Sequence, residues 1–145
     1  MNKEISTLET QYESTTFRVE VPRGYLDIRL GNRHPPIDRL LERLGATEWA
    51  YITAWNPQSQ AVSHAQNGIA QEQLKQCLRA HGLHFYQGDG IPDAGDWTPE
   101  RSVWVAGIGR QDAIDIGGQF GQTAIVVGTN GGVAELVYCL TVEAR

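Results

Sequence analysis

Trp49-Ala50-Tyr51-Ile52-Thr53-Ala54-Trp55 is built from strand-forming residues and is apolar on both faces, the pattern of a strand buried in the middle of a sheet. The segment Ser102–Ile108 (Ser-Val-Trp-Val-Ala-Gly-Ile) repeats the pattern, so two central strands are expected, and what lies around them sets the topology. Pro57 ends the first of them, because proline cannot donate to a ladder and pushes its predecessor out of the helical region. Ser63 with Gln66 makes a capping box, and Ala70, Leu74, Cys77, Leu78 and His81 recur at helical spacing until Gly82 supplies the stop. Leu83–Tyr86 is a short strand, followed by a long loop, Gln87–Arg101, rich in Gly, Pro and Asp. The second central strand closes at Gly107-Ile108-Gly109, and a helix follows from Gln111 to Gly121. Ala124–Thr129 and Ala134–Leu140 are strands joined at the hairpin signal Asn130-Gly131.

From Trp49 onward the order is therefore strand, helix, strand, strand, helix, strand, with a last hairpin strand. That is the order of a ferredoxin-like split βαβ core, an α+β fold with helices packed on one face of an antiparallel sheet. The two apolar strands are expected to lie adjacent and parallel at its centre. Upstream, Thr16–Val21 and Tyr25–Leu30 alternate with period two around the turn Pro22-Arg23-Gly24, an N-terminal β-hairpin. Pro35-Pro36 then opens a short helix with the stripe Ile37, Leu40, Leu41 and Leu44, stopped by Gly45. The expected organisation is a single domain over 1–145, with 1–15 loosely ordered, the hairpin and helix in 16–45, and the core in 49–140.

With 41% hydrophobic and 20% charged residues, the 145-residue chain falls among globular proteins and is long enough to bury a core. No apolar run is long enough for a membrane span, and Met1–Thr10 has no signal-peptide pattern. Two cysteines, Cys77 and Cys139, are too few for a disulfide scaffold, so free thiols and a cytoplasmic location are expected. A net charge of −5, with the arginines scattered, argues against nucleic acid as a partner.

Four motifs sit on this frame. Ile52-Thr53-Ala54-Trp55-Asn56-Pro57 is a strand ending in Asn-Pro. Ser63 and Asn67 precede Leu74 on the helix. Gly88 and Gly90 lead through a loop to Trp97 and Glu100. Phe120-Gly121-Gln122-Thr123-Ala124-Ile125 forms a helix-to-strand junction. In order and spacing they resemble a bacterial family known as domain of unknown function 3293, over about Phe17 to Leu140. The link from Trp97 to Glu100 through Thr98-Pro99 is longer here than the family pattern. The resemblance implies no activity and no cofactor.

Candidate chemistry follows from placement. With parallel central strands, Asn56 and Gly107–Gly109 are expected to be neighbours at one edge, with the helix N-termini at Ser63 and Gln111 opening towards them. Glycines, free N–H groups and Arg110 would suit a phosphate or carboxylate there; alternatively Gly-Ile-Gly is a tight turn and Asn56 a cap. The opposite edge is expected to hold Trp97 as a pocket wall with Glu100 and Gln122 as polar fixtures. Alternatively Trp97 pins the loop, Glu100 pairs with Arg101 or faces water, and Gln122 satisfies backbone at the helix end. Gly117-Gly118 inside a helix favours close packing over an approaching ligand. The histidines and Asp89, Asp93 and Asp96 lack ligand spacing, so no metal is expected. Amide-rich candidates (Asn56, Asn67, Gln122) suit recognition better than catalysis, so a non-catalytic module for a small polar or anionic molecule or a protein partner is expected. A small enzyme acting on a nucleotide-like metabolite with Glu100 as general base is the alternative, and a structural homodimer a third.

Overall fold

The computed structural model describes residues 3–57, 60–93 and 98–139. These form α1 (Lys3–Glu13), β1 (Thr15–Val21), β2 (Gly24–Ile28), α2 (Pro35–Arg43), β3 (Glu48–Ile52), α3 (His64–Ala80), β4 (His84–Pro92), β5 (Glu100–Ala106), α4 (Arg110–Gln119), β6 (Ala124–Thr129) and β7 (Glu135–Tyr138). The strands make one seven-stranded sheet in the order β2-β1-β4-β5-β3-β6-β7, and every neighbouring pair is antiparallel. The sheet curls. The chain after β2 meets the β6–β7 connection through an Arg33–Val133 bridge and a 2.9 Å bond from Gly31 N to Ala134 O.

The two apolar segments are adjacent at the centre of the sheet, but they run antiparallel, with Trp49 opposite Ala106 and Ile52 opposite Val103. The expected parallel pairing is corrected by counting reversals. The α3 crossover returns the chain so that β4 runs with β3, and the β4–β5 hairpin then turns β5 around. Consequently the C-terminal ends of β3 and β5 lie at opposite ends of the sheet, here called the Asn56 end and the Gly107 end.

Apolar residues on both faces of the central strands feed two cores. Ala50, Ile52, Val103 and Val105 face α3 and α4, meeting Leu74, Leu78, Ala113 and Ile116. Trp49, Tyr51 and Trp104 face the inside of the curl, with Phe17, Val19 and Ile28 and with Ile37, Leu40 and Leu41 of α2. Thus α3 and α4 share one face, while α2 covers the other.

Three boundaries differ from expectation. α1 occupies the stretch expected to be loosely ordered. β3 stops at Ile52, because the Thr53 hydroxyl bonds Arg101 O at 2.6 Å and receives Trp55 N at 3.0 Å, turning the backbone away from the ladder. β4 continues to Pro92 through the segment expected to be loop. Gly88 makes that continuation possible: a Cβ there would stand 1.9 Å from Arg18 O and 2.8 Å from the Tyr51 hydroxyl. That hydroxyl crosses the glycine to bond Arg18 O at 2.7 Å.

Candidate functional site

The antiparallel centre re-sorts the expected clusters. Asn56 and Gly107–Gly109 are not neighbours, and the N-termini of α3 and α4 open at opposite ends, since β3 feeds one helix and β5 the other from opposite directions. Conversely, Glu100 begins β5 and Gln122 precedes β6, so both join Asn56, Ser63 and Asn67 at one end. Trp97, the expected pocket wall, lies outside the described residues.

At the Asn56 end side chains take over where the β3 ladder stops. Asn56 has φ +47, the single positive value outside glycine among the described residues, and asparagine tolerates this conformation better than most. Its N–H donates to Asn67 Oδ1 at 2.8 Å, and its own Oδ1 accepts from Asn67 Nδ2 at 2.8 Å and Val62 N at 3.3 Å. Asn67 is buried, and one turn later Gln71, also buried, accepts Ala54 N on Oε1 at 3.2 Å. Gln122 donates from Nε2 to Trp55 O at 3.3 Å, and Gly121 (φ +79) lets Pro57 close in, where a Cβ would stand 2.7 Å from the proline ring. Ser63 completes the capping box at the start of α3, with Gln66 N donating to its hydroxyl at 3.1 Å. Asn67 and Gln122 are thus engaged in holding the segment 54–57, and the backbone that Gln122 meets is Trp55 O, not the end of α4.

Glu100 is different. By alternation it shares the inner face of β5 with Ser102 and Trp104, and it is partly buried. Burial pushes its carboxyl above the ordinary carboxylate range, opposed by a hydrogen bond from the Asn56 amide. No ion pair reaches it among the described residues: Arg101 pairs instead with Asp89 at 3.0 Å and Glu20 at 3.4 Å. Beside it stands Tyr12 of α1, whose hydroxyl donates to Ala124 O at 2.9 Å. Burial first, then the Glu100 charge, raises that phenol above its ordinary value. Tyr12 carried no signal in the sequence, because its contact spans 112 positions.

The Gly107 end is built otherwise. Gly107 (φ +79) turns the chain, its N–H bonding Glu48 O at 2.7 Å, and Gly109 caps α4 without a side-chain bond. A small hollow of about 80 Å³ opens here, lined by Glu48, Trp49, Ile108, Arg110, Val127, Gly128, Thr129 and Glu135. Glu48 Oε2 stands 3.9 Å from where a Gly109 Cβ would be, and Arg110 pairs with Glu135 at 3.7 Å. The carboxylates already there oppose the anion expected at these glycines.

Inside α4, a Cβ on Gly117 would lie 2.7 Å from Cys139 Sγ and 2.8 Å from Ile125 Cγ2, so close packing accounts for that glycine. Burial, then Asp115, pushes the Cys139 thiol up to about 11, so it is not a thiolate nucleophile at neutral pH. No helix among the described residues is long and apolar enough to cross a membrane.

The fold and the amide-held end define a small α+β domain with a partly buried carboxylate, Glu100, at one end of the central strands of an antiparallel sheet. The chain belongs to the family described as Protein of unknown function (DUF3293), whose model matches residues 52–125. That span runs from the end of β3 to the start of β6 and holds Asn56, Ser63, Asn67, Glu100, Gly107, Gly109 and Gln122. No curated protein and no solved structure matches the chain.

Proposed function

We propose that the protein is a non-catalytic module whose Asn56 end takes a small polar ligand rich in N–H donors, such as a primary amine. Glu100 carries this reading. It is a partly buried carboxylate with an amide neighbour and no cation among the described residues, so a ligand cation would supply the missing charge. An anion would meet that carboxylate at this end and Glu48 and Glu135 at the other. The Asn56 amide beside Glu100 supports recognition over proton transfer, since an amide is neither an acid nor a base, while Asn67 and Gln122 hold its segment in place. The strand order β6-β3-β5-β4, with α3 crossing over β5 and α4 over β3, supports a ferredoxin-like core. Two free cysteines support a reducing, cytoplasmic setting.

One observation favours a second reading. A carboxyl raised by burial stands closer to neutrality, as a general base requires, so Glu100 would serve a small enzyme acting on a nucleotide-like metabolite. A thermal-shift screen of primary amines, amino acids, amides and nucleotides against wild type and Glu100→Gln tests both. The binding reading expects an amine to raise the Tm of wild type and not of the variant. A compound that both proteins bind but only wild type converts would favour the enzyme. No shift from any compound would favour a protein partner or a homodimer, the latter read directly by size-exclusion mass.

A further inference from the structure

We propose that α1 is a latch across the mouth of the curled sheet, closing over Glu100 and opening without unfolding the strands. This rests on the reading of Glu100 as the centre of the site. The latch has a hinge and a clasp. At the hinge, Asp93 N donates to Ser14 O at 2.8 Å and Arg29 Nη2 to Glu13 O at 3.1 Å, fixing the junction of α1 with β1. At the clasp, the Tyr138 hydroxyl at the end of β7 donates to Glu9 Oε2 at 2.6 Å. Between them Tyr12 lays its ring against Phe17, centroids 5.8 Å apart, and bonds Ala124 O at the start of β6. The helix therefore bridges from β1 and β4 on one side to β6 and β7 on the other, and β5 with Glu100 lies between them in the sheet order.

Among the side chains described, those of Thr7 to Glu13, α1 is held by hydrogen bonds and by the partly buried Tyr12 ring against the inner core. Its residues are mostly Glu, Thr, Ser and Gln, and no side chain from Thr7 to Glu13 is fully buried. α2, of similar length, buries Ile37, Leu40 and Leu41. An element held by few buried apolar groups opens at a small fraction of the global unfolding free energy. The Tyr138 phenol, pushed up to about 12 by burial and by Glu9, keeps its proton at neutral pH and so keeps its bond to the carboxylate.

The test uses Tyr12→Phe combined with Tyr138→Phe, which keeps both rings and removes both hydroxyls. Amide hydrogen exchange read by peptide is expected to speed in α1 by about thirtyfold, the combined worth of two ordinary hydrogen bonds, with β3 and β5 unchanged. Coupling of glycinamide by a water-soluble carbodiimide is expected to quicken at Glu100 severalfold and to stay level at exposed Glu72. Loss of protection in β3 and β5 in step with α1 would overturn the proposal, since α1 would then belong to the cooperative core. Faster exchange in α1 with unchanged labelling of Glu100 would overturn it too, because the helix would not cover the site. Should the double variant fail to fold, native-state exchange of the wild-type protein in low denaturant decides. α1 is expected to open at a lower free energy than the strands, and equal free energies contradict the latch. Labelling reports the cover over Glu100 whether or not an amine binds, so a failure here is separable from a failure of the ligand reading.

Discussion

At the Gly107 end the strand-end groups close backbone on backbone, Gly107 N on Glu48 O and Asn130 N on Thr47 O at 2.9 Å, and side chains (Asp38 and Arg33) reach only the turn at Gly131. At the Asn56 end the equivalent groups are closed by side chains, with Gln71 on Ala54 N, Asn67 on Asn56 N, Gln122 on Trp55 O and Asn56 on Val62 N. Charges follow the same division. Arg110 answers Glu135 across the first end, whereas at the second Glu100 has the Asn56 amide and no ion pair among the described residues. The difference teaches where specificity is stored. A turn closed by its own backbone tolerates exchange of surface side chains, while one closed by buried amides depends on their identity and brings polar groups to a place a ligand can reach.

The largest expected effect breaks the amide-held end. Asn67→Ala removes both bonds to Asn56 and leaves its partly buried N–H and side-chain oxygen short of a partner, for a loss of about 2 to 3 kcal/mol in urea unfolding. Next comes packing at the other end. Gly128→Ala would place a Cβ 2.3 Å from the Trp49 ring, and overpacking of this kind costs about 2 kcal/mol. Polar truncation at that end sharpens the contrast: Arg110→Ala should cost under about 0.5 kcal/mol, since the pair with Glu135 is more than half exposed. A loss there as large as for Asn67→Ala would erase the distinction between the ends.

The smallest effect depends on pH. Folded Glu100, raised by burial, keeps its proton at a pH where the unfolded chain has released it. The folded state thus binds more protons there, and stability falls as pH rises from the ordinary carboxylate range through the folded value. Glu100→Gln removes this dependence. Relative to wild type, the variant should gain stability between acid and neutral pH, checked by urea midpoints at both.

The local elements were legible where signals were short-range. Ser63 with Gln66 caps α3, Gly45 and Gly82 stop their helices at φ +72 and +70, and β6 spans Ala124–Thr129, ending at the turn signal Asn130-Gly131. The continuation of β4 was hidden, because Gly88 reads as loop until the Tyr51 hydroxyl is known to pass over it. α1 was hidden for a related reason: its anchors on Ala124 and Tyr138 are more than a hundred positions away. For the site, residue types were readable but their grouping was not. Asn56, Glu100 and Gln122 come together only when β5 is turned antiparallel to β3, a matter of chain reversals that no local pattern records.

The most direct measurement follows both ends of one labelled sample by carboxyl and amide NMR while a simple diamine such as putrescine is added. Resonances of Glu100, Asn56 and Tyr12 should shift in a saturable manner, with the Glu100 carboxyl titrating at lower pH once the amine is bound, and Glu48 and Glu135 left in place. Saturable shifts confined to Glu48, Arg110 and Glu135, with Glu100 unmoved, would contradict the assignment of the polar site to the Asn56 end.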